Sequence, residues 1–120
     1  MNTGDQKLFD LSFLEQMDDK DFLISVLDLY LTDTGKDINE MNHSLETGSL
    51  EGVYKTAHKL KSSTGMLQAN TLFTILESTE RIAKGGVKTN ELAELLKSGE
   101  REFEQLKIAL ELHLEQLKSA

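Results

Sequence analysis

The chain has 120 residues, enough for one domain with a single buried core and too few for a multidomain enzyme. It contains no Cys and no Pro, which removes disulfides, thiolate metal sites and cysteine nucleophiles together. With 21 acidic against 13 basic side chains the formal charge is −8, a balance that opposes binding to nucleic acid or anionic lipid and points to a protein partner.

The opening Met1-Asn2-Thr3-Gly4-Asp5-Gln6-Lys7 is polar and lacks the apolar centre of a secretion signal, and residues 1–8 are expected to be a flexible N-terminus. No later apolar run approaches the ~20 residues of a membrane span, so the expected location is the cytoplasm. Abundant Leu, Glu, Lys and Ala, few β-branched residues and glycine punctuation predict helices throughout. The expected fold is all-α, an antiparallel four-helix bundle with a short additional N-terminal helix.

That short helix runs from about Ser12 to Met17. Either Asp10 caps it with Phe9 and Leu14 as a hydrophobic staple, or Ser12 and Glu15 form a capping box. Asp18 or Asp19 caps the next helix, whose apolar residues Leu23, Val26, Leu27, Tyr30, Ile38, Met41 and Leu45 keep helical spacing to about Thr47. Gly48 ends it and Ser49 caps a third, with an inner stripe of Leu50, Val53, Tyr54, Ala57, Leu60, Thr64 and Leu67. Asn70 is the expected cap of a fourth helix, with Leu72, Phe73, Ile75, Leu76 and Ile82 inward and a stop at Gly85-Gly86. Thr89 opens a long fifth helix whose seam is Leu92, Leu96, Phe103, Leu106, Leu110 and Leu117.

The third helix carries the chemistry, in Ala57-His58-Lys59-Leu60-Lys61-Ser62-Ser63-Thr64-Gly65. Successive helical residues are ~100° apart, so His58, Lys55, Lys59, Lys61 and Ser62 fall on the outward half, beside the apolar stripe. A histidine one turn before a lysine and a small hydroxyl residue makes a surface patch suited to receiving a phosphoryl group. His113 falls on the last helix's seam and reads as a packed residue. Glu40-Met41-Asn42-His43 has the Glu-x-x-His form of di-iron bundles but no second copy, so no metal site is expected. Glycine-rich nucleotide loops are absent, which argues against ATP binding.

The stretch resembles the histidine-containing phosphotransfer (HPt) domains of bacterial and plant phosphorelays, whose usual motif runs Ala-His-x-Leu-Lys-Gly-Ser-Ser with a later Leu-Gly-Ala step. Ala57, His58, Leu60, Lys61 and Ser63 match, Thr64 is a hydroxyl equivalent, and Leu67 and Ala69 match the later step. Phe9-Asp10-Leu11-Ser12-Phe13-Leu14 is similar to the family's first helix, and the resemblance covers residues 9–118 as one domain. Two positions depart from it: Ser62 stands where the first glycine is usual and Gln68 where the second is.

The resemblance implies that His58 is phosphorylated, that Glu80, 22 positions on, accepts from the imidazole, and that Lys84 is the basic residue one turn later. With one ring nitrogen held as a donor to Glu80, the other is the nucleophile. Lys61 and Lys84 are expected beside the phosphoryl oxygens with Ser62 as a neighbour, and Lys55 and Lys59 as a steering patch for the partner. The partners implied are receiver domains of response regulators and of a hybrid histidine kinase, met by a monomer that is itself no kinase. The chain needs no cofactor of its own; magnesium is expected only in the receiver's acidic pocket. The alternative is an HPt-like helical adaptor that grips a signalling partner without phosphotransfer.

Overall fold

The computed structural model describes residues 8–87 and 89–119, and among these all regular structure is helical. The expected flexible stretch therefore lies, apart from Leu8, outside the described residues. Helix α1 spans Ser12–Glu15, α2 Lys20–Glu46, α3 Leu50–Met66, α4 Asn70–Lys84 and α5 Asn90–Ser119. Connections of a few residues turn each long helix back on the one before, and α5 closes the ring by packing on both α4 and α2.

The helix ends follow local chemistry. Ser12 donates through its amide to Asp10 at 2.9 Å and through its hydroxyl to the same carboxylate, so Asp10, not a Ser12–Glu15 box, organises the entry to α1. The Asp10 amide in turn donates to the Leu67 carbonyl at 2.8 Å, which ties this entry to the end of α3. Asp18 turns the chain at φ +50°, leaving Asp19 to cap α2 by accepting from the Phe22 amide at 3.0 Å. Ser49 caps α3 through the Gly52 amide at 3.1 Å, and Thr89 caps α5 through the Leu92 amide at 3.1 Å.

Helices α2 and α3 both end in the Schellman arrangement, in which two amides beyond the last turn satisfy carbonyls of that turn. After α2, Ser49 donates to Ser44 at 2.7 Å and Gly48 to Leu45 at 3.2 Å, with Gly48 at φ +84°. After α3, Ala69 donates to Thr64 at 3.3 Å and Gln68 to Gly65 at 3.1 Å, with Gln68 at φ +50°. Gln68 thus occupies a left-handed position that glycine takes without strain.

Asn70 does not cap α4. The cap position is Ala69, whose buried methyl group can make no side-chain hydrogen bond and whose amide closes α3. The core runs the length of the bundle through Leu27, Val53, Leu60, Leu76, Leu92 and Leu106. Phe73, Ile75 and Ile82, expected inward, are half-buried at the edges of α4, whose centre line is Leu72, Leu76, Thr79 and Ala83. Similarly, Leu114 is the buried residue near the end of α5, and Leu117 is half-buried beyond it.

Candidate functional site

Helix α3 is held by Val53, Ala57, Leu60 and Thr64, all buried. Taking Ala57 as the inward direction, Lys61 lies about 40° round the helix, Tyr54 about 60° and His58 about 100°, all toward the same side. That side meets α4. His58 is far enough round for 68% of its side chain to stay exposed, while Lys61, nearer the seam, keeps only 22%. Lys61 is therefore not on the outward half with His58 but at the α3–α4 border.

Glu80 rises from α4 directly after the buried Thr79, with its side chain 14% exposed. Its Oε2 lies 2.9 Å from His58 Nδ1, and its Oε1 lies 2.9 Å from Lys61 Nζ. One carboxylate thus spans two donors on α3, with the Lys61 ammonium also 5.9 Å from the centre of the Phe73 ring. The Lys61 hydrogen bond and then that of His58 hold the Glu80 carboxyl below its ordinary value of 4.5 against the opposing effect of burial. Reciprocally, the bond to Glu80 raises Lys61 above 10.5.

With Glu80 accepting from Nδ1–H, the lone pair of the imidazole lies on Nε2, the nitrogen away from the carboxylate. A neutral ring fixed in this tautomer presents a nitrogen nucleophile, and the anion behind it stabilises positive charge when Nε2 becomes substituted.

Of the other sequence candidates, Ser62 is exposed one turn after His58 and forms no side-chain hydrogen bond among the described residues. Lys84 is exposed on α4 and, with Tyr54 and Lys55, walls a recess next to His58 and Glu80. Lys55 is paired with Glu51 at 3.3 Å along its own helix. Lys59 turns the other way, toward α2, and lies 3.1 Å from Asp37 Oδ2. The bond to Asp37 raises its ammonium pKa. The expected steering patch is thus largely neutralised within the chain.

Two residues near the site were not assigned to it from the sequence. Asp37 is buried on α2 with its Oδ2 sealed from solvent, and it supplies the partner of Lys59. The available signal was an acid in line with the stripe of Tyr30, Thr34, Ile38 and Met41, where a buried charge needs a cation. Tyr54 was read as core, but it is half-buried and faces the recess. Between α2 and α3 lies a groove of about 380 Å³, lined by Leu29, Tyr30, Leu60 and Met66 and also by Lys59 and Ser62.

Fold and site together define a class of protein: a helical bundle that displays one imidazole outward from a central helix, with a carboxylate behind it. The family model of the Hpt domain matches residues 25–120, and the chain belongs to that family. Among solved structures it is similar to the crystal structure of histidine-containing phosphotransfer protein B (HptB) from Pseudomonas aeruginosa PAO1. The identity is 22%, the match covers 88% of this chain and 90% of that one, and the TM-score is 0.82, a likeness of fold. No curated protein matches in sequence.

Hpt domains are phosphocarriers rather than kinases, and Hpt proteins interact with receiver domains of two-component systems. The chain is a phosphorelay histidine phosphocarrier. Among the described residues no helix is long and apolar enough to cross a membrane.

Proposed function

We propose that His58 is the phosphoacceptor, taking a phosphoryl group from the aspartyl phosphate of one receiver domain and passing it to the receiver of a response regulator. The observation that carries this reading is the 2.9 Å contact of His58 Nδ1 with a carboxylate that is itself held by Lys61, on a ring otherwise open to solvent. In the forward step the Nε2–P bond forms as the acyl P–O bond breaks, and that electron pair returns to the aspartyl carboxylate. Nδ1 keeps its proton, and Glu80 offsets the charge of the substituted ring. Transfer onward is the reverse reaction on a second receiver.

Positioning is most of the catalysis in such a loose transition state, and here it falls to Glu80, with Lys61 fixing the carboxylate. Ser62, one turn on, is a small neighbour to the incoming group. The apolar groove between α2 and α3 supplies contact area for the receiver, with exposed Leu29 and Met66 at its rim. In this reading the chain acts in the cytoplasm, as a monomer over residues 9–118, without ATP and without a metal of its own. Any divalent ion belongs to the receiver's acidic pocket.

The test is incubation of the purified protein with a phosphorylated receiver domain, followed by intact-mass measurement and acid and base treatment. We expect an acid-labile, base-stable phosphate on the wild-type chain and none on His58→Gln, which should fold normally because the side chain lies outside the core. Phosphate on the variant would refute the assignment of His58. Binding of the receiver with no phosphate gained by the wild-type chain would favour an adaptor.

A further inference from the structure

Lys59 and Lys61 stand close to His58 on α3, and each is captured by an acid on a different neighbouring helix. Lys61 goes to Glu80 on α4, whose carboxylate also fixes the imidazole. Lys59 goes to Asp37 on α2, whose Oδ2 and Oδ1 lie 3.1 and 3.4 Å from its Nζ. The first pair orients the ring. The second has no hydrogen bond to it among the described residues.

Stability does not account for the second pair. Asp37 lies in the buried line of α2 with Tyr30, Thr34, Ile38 and Met41, and its Oδ2 is sealed from solvent. Burying a carboxylate is costly, and a well-packed apolar side chain in its place is commonly as stable or more so. What the buried acid does secure is the position of its cation. Were Lys59 to swing away, Asp37 would be left as an unpaired charge inside the bundle, so the ammonium stays on the α2 side. Asp33 and Glu40, exposed about one turn before and after Asp37 on the same edge, add to that pull.

Lys59 directly follows His58, and both side chains are 68% exposed. A flexible lysine stem can cross the ~100° between consecutive helical residues, so an unheld ammonium would reach a phosphoryl group on Nε2. Such a cation would stabilise the loaded form and make its phosphate harder to pass on. We infer that Asp37 is a positioning residue of the transfer site: by holding Lys59 on the α2 side it withholds a cation from the phosphoryl group on His58 and keeps that group transferable. The inference rests on His58 being the acceptor and adds what sets the balance between loading and release.

The first readout is the partition of phosphate between the chain and a receiver domain at equilibrium, with both proteins dilute. In the onward step the Nε2–P bond breaks as a bond from phosphorus to a receiver aspartate oxygen forms, and the electron pair returns to Nε2. The end point depends on the two phosphorylated states and not on docking contacts. The second readout is the 31P titration of the chain labelled with phosphoramidate, a probe that needs no partner protein. There the Nε2–P bond forms as the P–N bond breaks, and ammonia leaves with the protons its nitrogen carries.

Asp37→Leu frees Lys59 and puts an apolar side chain of the same branched shape in the core. We expect the partition to move about three- to fivefold toward the chain and the 31P titration to move to lower pH, because a nearby cation favours the dianion. Asp37→Asn keeps an acceptor for Lys59 and should shift both readouts less, in the same direction; being nearly isosteric, it carries the test if the leucine variant does not fold. Asp37→Leu/Lys59→Met should return both readouts to wild-type values. Asp33→Asn removes an equal charge from the same edge without releasing Lys59 and should leave both in place.

Wild-type partition and titration in the folded Asp37 variant would overturn the inference, as would an equal shift in Asp33→Asn or a shift that survives the added Lys59→Met. Any of these leaves the acceptor assignment standing. Labelling of His58→Gln would instead sink that assignment and the role of Asp37 with it.

Discussion

Replacing Glu80 by Gln puts the two-donor geometry to a strict test. The carboxylate presents one oxygen to His58 Nδ1 and the other to Lys61 Nζ, each at 2.9 Å. A glutamine has a single acceptor oxygen, and its amide nitrogen must face one of the two donors. Because Lys61 is charged, the oxygen should turn to Lys61 and the nitrogen to His58. Nδ1 then becomes an acceptor, the ring proton moves to Nε2, and the nucleophilic lone pair is lost from the outward side.

Exchanging a charge-assisted bond for a neutral or mismatched one costs about 1–1.4 kcal/mol, which is about a five- to tenfold lower rate. Single-turnover labelling by phosphoramidate measures the rate, and 15N-detected imidazole spectra report the tautomer. The double variant Lys61→Met/Glu80→Gln frees the amide oxygen to return to Nδ1. It should label within about twofold of Lys61→Met alone, a non-additivity expected only of groups that share one network. If Glu80→Gln labels at the wild-type rate with the Nδ1–H tautomer intact, the bridging role of the carboxylate is refuted.

The same network sets a pH dependence of stability. The folded Glu80 carboxyl is held below 4.5, chiefly by Lys61, so its contribution is complete above the unfolded value and fades as pH falls through the lowered folded value. In urea titrations the stability gap between wild type and Glu80→Gln should stay level from neutrality to mildly acid pH and close in stronger acid; a gap that widened on acidification would reverse the sign. Gln68→Gly relieves a left-handed backbone at φ +50° and should raise stability by about 1 kcal/mol, seen as a higher urea midpoint without loss of labelling. A lower midpoint would show that the Gln68 side chain, not its backbone, dominates.

Most of the helix boundaries are local events and were legible as such. Ser49 and Thr89 cap where a hydroxyl precedes an apolar periodic run, and Gly86 supplies the left-handed stop after α4 at φ +82°. Asn70 misled because it is a good cap by type, whereas α4 starts one residue earlier: the Ala69 carbonyl accepts from Phe73 and Asn70 is already helical. Gln68 shows the converse: a position whose conformation is dictated by the Schellman geometry even where the residue does not favour it. The resemblance to phosphotransfer domains noted Gln68 as a departure, and the backbone now supplies the reason a glycine suits that place.

The site was legible in its members and less so in its wiring. His58 and Glu80 meet as the resemblance implied, yet the lysines divide differently from a single outward patch. Lys61 sits about 40° from the inward direction rather than on the outer half, near enough to the seam to be captured by Glu80. Lys59 turns to the opposite neighbour, where a buried acid on α2 holds it. Tyr54 belongs to the stripe by spacing but opens onto the recess because α4 leaves that border uncovered.

By itself, then, the order of residues determined where helices start and stop, which stripe is buried and that the imidazole faces water, because capping and the 100° step act within a few residues of chain. Only the tertiary structure decided which carboxylate meets which ammonium. Those pairings join residues 22 and 19 positions apart, His58 and Lys61 to Glu80 and Lys59 back to Asp37, on three different helices. Long side chains reach several ångströms in many directions, and nothing short of the rotation and spacing of packed helices selects one partner among them.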